Sequence, residues 1–317
     1  MMIGNELIRE LVETVIITGK LKDASPLSLL LIAAPESGKT RVVLEKRCKN
    51  VKAFADITGK GILNVMKSQK ELTHIVINDM VAVLSHRQSV NKYTIAILNA
   101  MTEEGITSLA SPAGIEDFDD GKRGVIASIT TEMSMDSRFW WNKIGFASRM
   151  IPFCYKYPEP LLITIKDSID NSMRMVYRKP KNNDQEFVIP KNSKTVAYSD
   201  EFIRRVRRVA EVRCQITKDQ GMRRLHQYHT LIRGHALLRN RTEPVVEDVD
   251  LQFLEEIDLY CSYDSPKELK YDHAKARTDA ENGLPTLHKA QGMGVQDVPS
   301  SQVGNVPTSR PEHGEVN

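Results

Sequence analysis

The sequence predicts an α/β fold, in which a doubly wound parallel sheet with flanking helices is followed by a small α-helical lid domain. In the first half of the chain, apolar runs typical of strands buried on both faces alternate with segments of helical spacing. Over residues 200–262, apolar residues recur at helical spacing. A chain of 317 residues, 41% of them hydrophobic, is long enough to bury the core of such a fold.

Charge and composition limit the class of protein. The net charge of +3 is too small to indicate nucleic-acid binding by itself, although basic residues concentrate within 204–241. No window is apolar over the length of a membrane span, and the charged residues within 1–20 favour an amphipathic helix over a signal peptide. The cysteines match no metal-ligand spacing, so we expect reduced thiols in a cytoplasmic protein. They are Cys48, Cys154, Cys214 and Cys261.

Helices and strands are predicted in alternation from the N-terminus. We expect a helix over residues 5–20 that packs on the sheet, and then a first strand that begins at Leu29. After it we expect a helix at 41–49, a strand at 51–57, a short helix at 62–68, a strand at 74–79 and helices over 81–104. Strands separated by helices in this order predict parallel pairing.

The following segment predicts a hairpin and the end of the sheet. Residues 106–115 are expected to form a hairpin arm with Pro112 and Gly114 near its turn, and the acidic stretch 116–120 to form the exposed tip. A buried strand at 125–129, a helix within 140–152 and a last strand at 151–155 complete the predicted sheet region.

Domain boundaries are predicted where these patterns change. Residues 1–157 are expected to form the core domain, 158–199 an irregular insertion or linker, 200–262 the helical lid domain, and 263–317 a disordered tail with a brief helix near 270–281. Within the insertion, turn residues at 182–184 precede two candidate short strands, 186–190 and 195–198.

The first strand leads into a candidate phosphate-binding loop. The apolar run from Leu29 ends in Gly38-Lys39-Thr40, close to the pattern G-x-x-x-x-G-K-[ST], with Ala33 in place of the first glycine. Backbone N–H groups of such a loop surround phosphate oxygens, the lysine reaches the β- and γ-phosphates, and the threonine hydroxyl binds Mg²⁺. The loop residues are Ala33, Ala34, Pro35, Glu36, Ser37, Gly38, Lys39 and Thr40.

A carboxylate follows the third strand. Asp79 ends the run His74-Ile75-Val76-Ile77-Asn78-Asp79, where an acid beside a phosphate loop can hold Mg²⁺ and polarise the attacking water. Aspartate at a strand-to-helix junction is also a good helix N-cap. The two interpretations are compatible with each other.

These features resemble AAA+ ATPases over residues 5–262, and especially the branch that holds the minichromosome maintenance helicases, magnesium chelatase subunits and MoxR-type ATPases. Thr58-Gly59-Lys60-Gly61 is similar to a segment after the second strand of the replicative helicases. Residues 102–115 resemble their helix and hairpin before sensor 1. Gly221-Met222-Arg223-Arg224, with 236–238 and 246–249, resembles the lid helices and the sensor 2 arginine.

The resemblance implies ATP and Mg²⁺ as cofactors and a role for each matching residue. Lys39 and Thr40 would bind phosphate and Mg²⁺, Asp79 would occupy the Walker B position, Thr130 sensor 1, Arg149 the arginine finger and Arg223 sensor 2. An arginine finger acts on the nucleotide of a neighbouring subunit, which implies a ring or filament, usually a hexamer in this superfamily.

Three of these roles have structural alternatives. Thr130 could be only a strand-end hydroxyl, Arg149 a surface arginine at a helix C-terminus, and Arg223 part of a solvated helix face. The sequence also departs from the family pattern at three positions: Ala33, Asn78 where the family has the first acid of Asp-Glu, and Thr130 where sensor 1 is usually Asn. Nucleotide binding is therefore a firmer expectation than fast hydrolysis.

Three functions are consistent with the sequence. The first is an ATP-driven motor on nucleic acid, helicase-like and associated with replication in a prokaryotic or phage-infected cell. Its support is the hairpin before sensor 1 and the basic segment 204–213, whereas an acidic hairpin tip would repel phosphates. The second is a MoxR-like ATPase that remodels a protein partner. The third is a nucleotide-gated scaffold that hydrolyses ATP weakly, which Asn78 would allow.

Overall fold

The fold is built on a six-stranded parallel sheet. The computed structural model describes residues 5–44, 48–111, 114–118, 121–174, 187, 189–217 and 221–270. The strands are β1 (Leu29–Ile32), β2 (Val51–Phe54), β3 (His74–Ile77), β4 (Ser108–Ser111), β5 (Gly114–Asp117), β6 (Gly124–Ile129), β7 (Ile151–Lys156) and β8 (Lys267–Glu268). The sheet order is β2-β3-β6-β1-β7-β8 and each pair is parallel, while β4 and β5 form a separate antiparallel hairpin. The predicted α/β fold with a parallel sheet is confirmed.

Helices cover both faces of this sheet. They are α1 (Glu6–Thr18), α2 (Lys39–Leu44), α3 (Gly59–Ser68), α4 (Met80–Leu84), α5 (Gln88–Glu103), α6 (Thr131–Lys143), α7 (Glu159–Arg174), α8 (Asp200–Thr217), α9 (Met222–Arg239) and α10 (Asp248–Tyr260). A 3-10 turn, Ala147–Arg149, precedes β7.

The central strand β1 is buried on both faces, because its side chains alternate between two hydrophobic cores. Leu29 and Leu31 belong to the core that also contains α1, α9 and α10, whereas Leu30 and Ile32 belong to the core that contains α3 and α5. The uninterrupted apolar run that predicted a buried strand therefore reflects burial from two sides.

The predicted helical lid segment packs on α1 and on one face of the sheet. Residues such as Leu231 of α9 and Leu254 of α10 are fully buried in the same core as β1. A polar network reinforces this packing: His235 of α9 lies 2.7 Å from Oδ1 of Asp250 and 2.9 Å from Oε1 of Glu10. These carboxylates raise the pKa of His235 although burial opposes them.

The structure corrects the prediction of an irregular insertion at 158–199. Residues Glu159–Arg174 form a helix. It was not predicted, although Leu161, Ile165 and Ile169 recur at helical spacing; Leu161 is buried. The candidate strand 195–198 contributes only an isolated bridge between Ala197 and Val245, and the turn at 182–184 lies outside the described residues, as does part of 186–190.

The start of the tail and the end of the sheet also differ from the prediction. Strand 151–155 is not the last, because β8 adds to β7 within the segment predicted to be disordered from 263. Leu269 is buried, its N–H donates to the carbonyl of Lys156 at 3.0 Å, and the Tyr263 hydroxyl contacts the Ala147 carbonyl. Residues 271–317, with most of the candidate helix 270–281, lie outside the described part.

Two further local predictions are wrong. The helix expected within 140–152 instead spans Thr131–Lys143 and ends before Gly145, whose φ of 75° is unfavourable for other residues. In the hairpin Ser111 pairs with Gly114, and Glu116 and Asp117 belong to β5, so these two acids do not form the tip. Asp119 and Asp120 lie outside the described residues.

Close packing around β6 gives a test of this arrangement. A Cβ added to Gly124 would lie 2.3 Å from the Leu27 carbonyl oxygen and 2.4 Å from Cδ2 of His74. We expect Gly124→Ala to lower the free energy of unfolding by about 1–3 kcal/mol, because backbone cannot move aside cheaply. Gly61→Ala is the control, since its Cβ would meet only side-chain atoms at 3.3 Å or more and alanine favours the helix. Equal stability of the two variants in urea would contradict this packing.

Candidate functional site

The candidate nucleotide site lies at the carboxyl edge of the sheet. The loop 33–40 follows β1, Asn78 and Asp79 follow β3, and Thr130 follows β6. These three strands are neighbours in the order β3-β6-β1, so their ends bring the predicted residues to one edge. Strands β2, β3 and β6 lie on one side of β1 and β7 lies on the other, so the strand order switches sides at β1. Ligands bind at such a switch point in open parallel sheets.

The loop has the backbone conformation of an anion-binding turn. Glu36 and Gly38 have φ values of 61° and 72°, and Glu36 is the one non-glycine residue with positive φ in the described part of the chain. Ala33 therefore needs no glycine-like conformation, which explains why alanine fits there. Alternation of left-handed and right-handed residues turns successive N–H groups toward a common point, as phosphate-binding loops require.

Lys39 is folded back onto its own loop. Its Nζ lies 2.7 Å from the carbonyl oxygens of Ala33 and Ala34 and 3.2 Å from Oγ of Ser37. Lys39 is only 8% exposed, so these contacts satisfy a nearly buried ammonium group. Phosphate oxygens are the same kind of acceptor, so the ammonium can exchange these carbonyls for a phosphate without losing hydrogen bonds.

Two tyrosines, one in β7 and one directly after it, hold the loop by hydrogen bonds to its main chain. The Tyr155 hydroxyl donates to the Ser37 carbonyl at 3.1 Å. The Tyr157 hydroxyl oxygen lies 2.7 Å from that same carbonyl oxygen and 2.7 Å from Oδ1 of Asn5, which is fully buried. The loop is thereby fixed to the sheet and to the residue before α1.

The electrostatic environment of Lys39 depends on two carboxylates. Burial lowers the pKa of Lys39, while the charges of Asp79 and, more weakly, Glu132 act in the opposite direction. Glu132 lies in the first turn of α6, two residues after Thr130. Sequence reasoning missed Glu132, because the family pattern gives no role to that position.

Asn78, Asp79 and Thr40 carry oxygen atoms at the edge of the sheet where the phosphate loop lies. The Thr40 hydroxyl lies 3.4 Å from the Asn78 carbonyl oxygen, to which Ser128 also donates. Oδ1 of Asn78 is buried and has no hydrogen-bond partner among the described residues. Carboxylate, amide and hydroxyl oxygens are hard ligands of the kind Mg²⁺ takes, so these residues fit that ion.

Asp79 and Thr130 also cap helices. The Asp79 carboxylate accepts from the N–H of Val81 at 2.9 Å at the start of α4, and Thr130 Oγ1 accepts from the N–H of Met133 at 3.4 Å at the start of α6. The helix-cap interpretation of Asp79 is therefore realised, whereas the cap formed by Thr130 was not predicted. Each side chain nevertheless remains at the edge that carries the loop.

The two predicted arginines lie together, but at the opposite edge. Glu103, the last residue of α5, contacts both of them. Arg149 ion-pairs with Oε2 of Glu103 and donates to the Gly145 carbonyl at 2.6 Å. Arg223 donates from Nε to Oε1 of Glu103 at 2.8 Å and from Nη1 to Ser148 Oγ at 2.8 Å.

Strand direction separates this arginine pair, Arg149 and Arg223, from the phosphate loop. Arg149 precedes β7, whose first residue Ile151 is paired with Leu29 at the start of β1, whereas the loop follows Ile32. The two groups are therefore at least the length of β1 apart, roughly 10 Å. The structure divides the predicted site residues into two sets that do not meet within one chain.

The arginine pair lines a cleft of about 610 Å³. Basic side chains dominate its charged lining: Lys22, Lys122, Arg149, Arg223, His226 and Arg233. Asp23 and Glu103 are the acidic residues of the lining. Burial would raise the pKa of Glu103, but the two guanidinium groups outweigh burial and hold this pKa below its ordinary value.

Comparisons with known proteins give no sequence match and a distant structural similarity. No family model and no curated protein matches the sequence. One similar solved structure is a full-length MCM homolog from Methanopyrus kandleri, with 14% identity and a TM-score of 0.45, and the match covers 82% of this chain and 56% of that one. The chain thus spans about half the length of that homolog, and the similarity is too low to assign a family.

The described ranges contain neither a cluster of metal-ligating side chains nor a helix suited to a membrane. No cluster of three or more His, Cys, Asp or Glu side chains has metal-binding geometry there. None of the helices that the structure describes combines the length and apolar character needed to cross a bilayer.

The effect of the two carboxylates on the pKa of Lys39 can be tested directly. Asp79→Asn should lower the pKa of Lys39 further, because it removes the larger of the two opposing charges while asparagine still caps α4. The pH dependence of Lys39 acylation, followed by mass spectrometry, measures this pKa. Glu132→Gln should give a smaller decrease in the same direction. An unchanged or higher pKa in the Asp79 variant would contradict this electrostatic account.

Proposed function

We propose that this protein is a Mg-ATP-binding AAA+ ATPase that works as an oligomer and couples ATP turnover to the remodelling of nucleic acid. One observation carries the proposal: a phosphate loop with a buried lysine lies at one edge of the sheet, and a pair of arginines lies at the other. The two halves of a phosphoryl-transfer site thus face away from each other within one chain.

The carboxyl edge would hold the nucleotide. The loop N–H groups and Lys39 would bind the phosphates, while Thr40 and Asp79 would hold Mg²⁺. When bound, the ion would neutralise charge on the phosphates. Asp79 is exposed at the strand end, where it can also orient a water molecule. Asn78 supplies an amide in place of a second carboxylate, so we expect slow turnover.

The arginine edge would complete the site of a second copy. An arginine supplied by a neighbour stabilises the charge that develops during phosphoryl transfer. Arg149 cannot reach its own loop without crossing the length of β1, whereas a head-to-tail contact between copies would bring opposite edges together. Such contacts close into rings or extend into filaments, and a hexameric ring is usual in this superfamily.

Several surface features support nucleic acid as the substrate. Ile115 of the β4–β5 hairpin follows the paired residue Gly114 and is 76% exposed. Glu116 lies within β5 and is paired with Lys67 at 2.8 Å, which reduces its repulsion of phosphates. On α8, Arg204 and Arg208 are exposed and are available for phosphate contacts.

A second function is favoured by Asn78. With one carboxylate at the Walker B position, the protein would bind nucleotide and turn it over too slowly for a motor, acting as a nucleotide-gated scaffold. Action on a protein partner, as in MoxR-type ATPases, is the remaining outcome that the experiments below distinguish.

Mixing two variants tests whether the site forms between copies. Lys39→Ala should abolish nucleotide binding, and Arg149→Ala should lower the hydrolysis rate by about a thousandfold. In an equimolar mixture about one interface in four is complete, so roughly a quarter of the wild-type rate should return. Arg241→Ala, an exposed arginine outside the site, is the control. If the wild type is active and the mixture stays inactive, Arg149 does not act between copies.

The substrate can be identified from hydrolysis rates with and without DNA. We expect single- or double-stranded DNA to stimulate Mg-ATP hydrolysis, with a stimulation that weakens as salt rises, because phosphate contacts release counterions. Lys39→Ala should show no stimulated rate. An ATP hydrolysis rate that DNA does not change would favour a protein substrate. Tight ATP binding without hydrolysis would favour the scaffold.

A further inference from the structure

Glu103 holds the arginine pair in one arrangement. Its Oε1 accepts from Arg223 and its Oε2 from Arg149, so each carboxylate oxygen binds one guanidinium group. Glu103 is 31% exposed, Arg149 17% and Arg223 48%, so the cluster is partly shielded from water while one side stays open. Without the carboxylate, two adjacent positive charges would repel each other.

The positions of Glu103 and Arg223 on their helices are electrostatically unfavourable in isolation. Glu103 ends α5, where the helix dipole disfavours an acid, and Arg223 lies in the first turn of α9, where the dipole disfavours a base. The ion pair between them offsets both unfavourable positions, and Glu103 gains a second partner in Arg149 and Arg223 a second in Ser148. Residues that break local preferences and compensate each other in this way are typical of functional positions.

The pair retains donors for another ligand. A guanidinium carries five N–H groups, and the contacts of Arg223 with Glu103 and Ser148 use three of them. The adjoining cleft of about 610 Å³ lies within the size range of small-molecule sites. Lys22, Lys122, His226 and Arg233 add further basic groups to this cleft, which suits a polyphosphate.

We propose that Glu103 is a positioning residue that holds Arg149 and Arg223 side by side to receive the phosphoryl group of the nucleotide bound to a second copy. This inference rests on the proposed function. Glu103 does not touch the nucleotide of its own chain, because it lies at the edge opposite Lys39. Its effect therefore concerns the rate of the neighbour's reaction and not ATP binding.

Glu103→Gln tests this role, since glutamine keeps the shape and removes the charge. We expect kcat to fall about tenfold or more, because misplaced catalytic groups are costly, while KM and the ATP affinity stay within about twofold. Glu103→Asp should restore part of kcat. Glu104→Gln, the same change at the exposed neighbouring residue, should match the wild type. A purely structural role would instead lower the melting temperature without separating kcat from KM.

Subunit mixing shows on which side of the interface Glu103 acts. Glu103→Gln mixed with Lys39→Ala should regain activity, because one variant supplies the loop and the other the arginine edge. Glu103→Gln mixed with Arg149→Ala should not, since both are defective at the same edge. A wild-type or increased kcat in Glu103→Gln, or rescue by Arg149→Ala, would overturn the inference.

Different results would contradict the proposed function and the role of Glu103. If the wild type binds no ATP or does not associate, the proposed function and this inference both fall. If Lys39→Ala and Arg149→Ala complement each other while Glu103→Gln is fully active alone, the proposed function stands and only the role of Glu103 is wrong.

Discussion

Parallel strand pairing is the constraint on which the rest of the structure depends. All six strands of the main sheet run in one direction, so residues that follow strands converge at one edge and residues that precede strands converge at the other. Lys39, Asp79 and Thr130 follow strands, whereas Arg149 precedes one. The position of each group relative to its strand thus decides which site residues can meet within a chain.

This separation gives the two edges complementary chemistry. The carboxyl edge offers loop N–H groups, a nearly buried lysine and oxygen ligands suited to Mg²⁺. The amino edge offers two guanidinium groups held by a single carboxylate within a basic cleft. Each edge lacks what the other supplies, which is the observation behind the proposed contact between copies.

The parts of the site that could be predicted from the sequence are those continuous with a strand. The loop and Asp79 follow buried apolar runs, so the location of both was predictable from local pattern alone. The partnership of Glu103 with Arg223 was not, because 120 residues separate them and no local signal reports the contact. Helix α7 was missed because the turn residues at 182–184 favoured an irregular interpretation of the whole segment 158–199, although Leu161, Ile165 and Ile169 recur at helical spacing. The hairpin tip was misplaced because charge alone does not define a turn.

The central claim is that the phosphate loop of one copy faces the arginine edge of another. Cysteine cross-linking tests it most directly, with Glu36→Cys in one preparation and Glu104→Cys in the other, two exposed positions at opposite edges of the sheet. With a short thiol-reactive linker and Mg-ATP, and with the partly exposed Cys48 and Cys214 replaced by serine in both preparations, we predict covalent dimers from the mixture and only background levels from either variant alone. Equal cross-linking in all three samples, or none in the mixture, would contradict the claim.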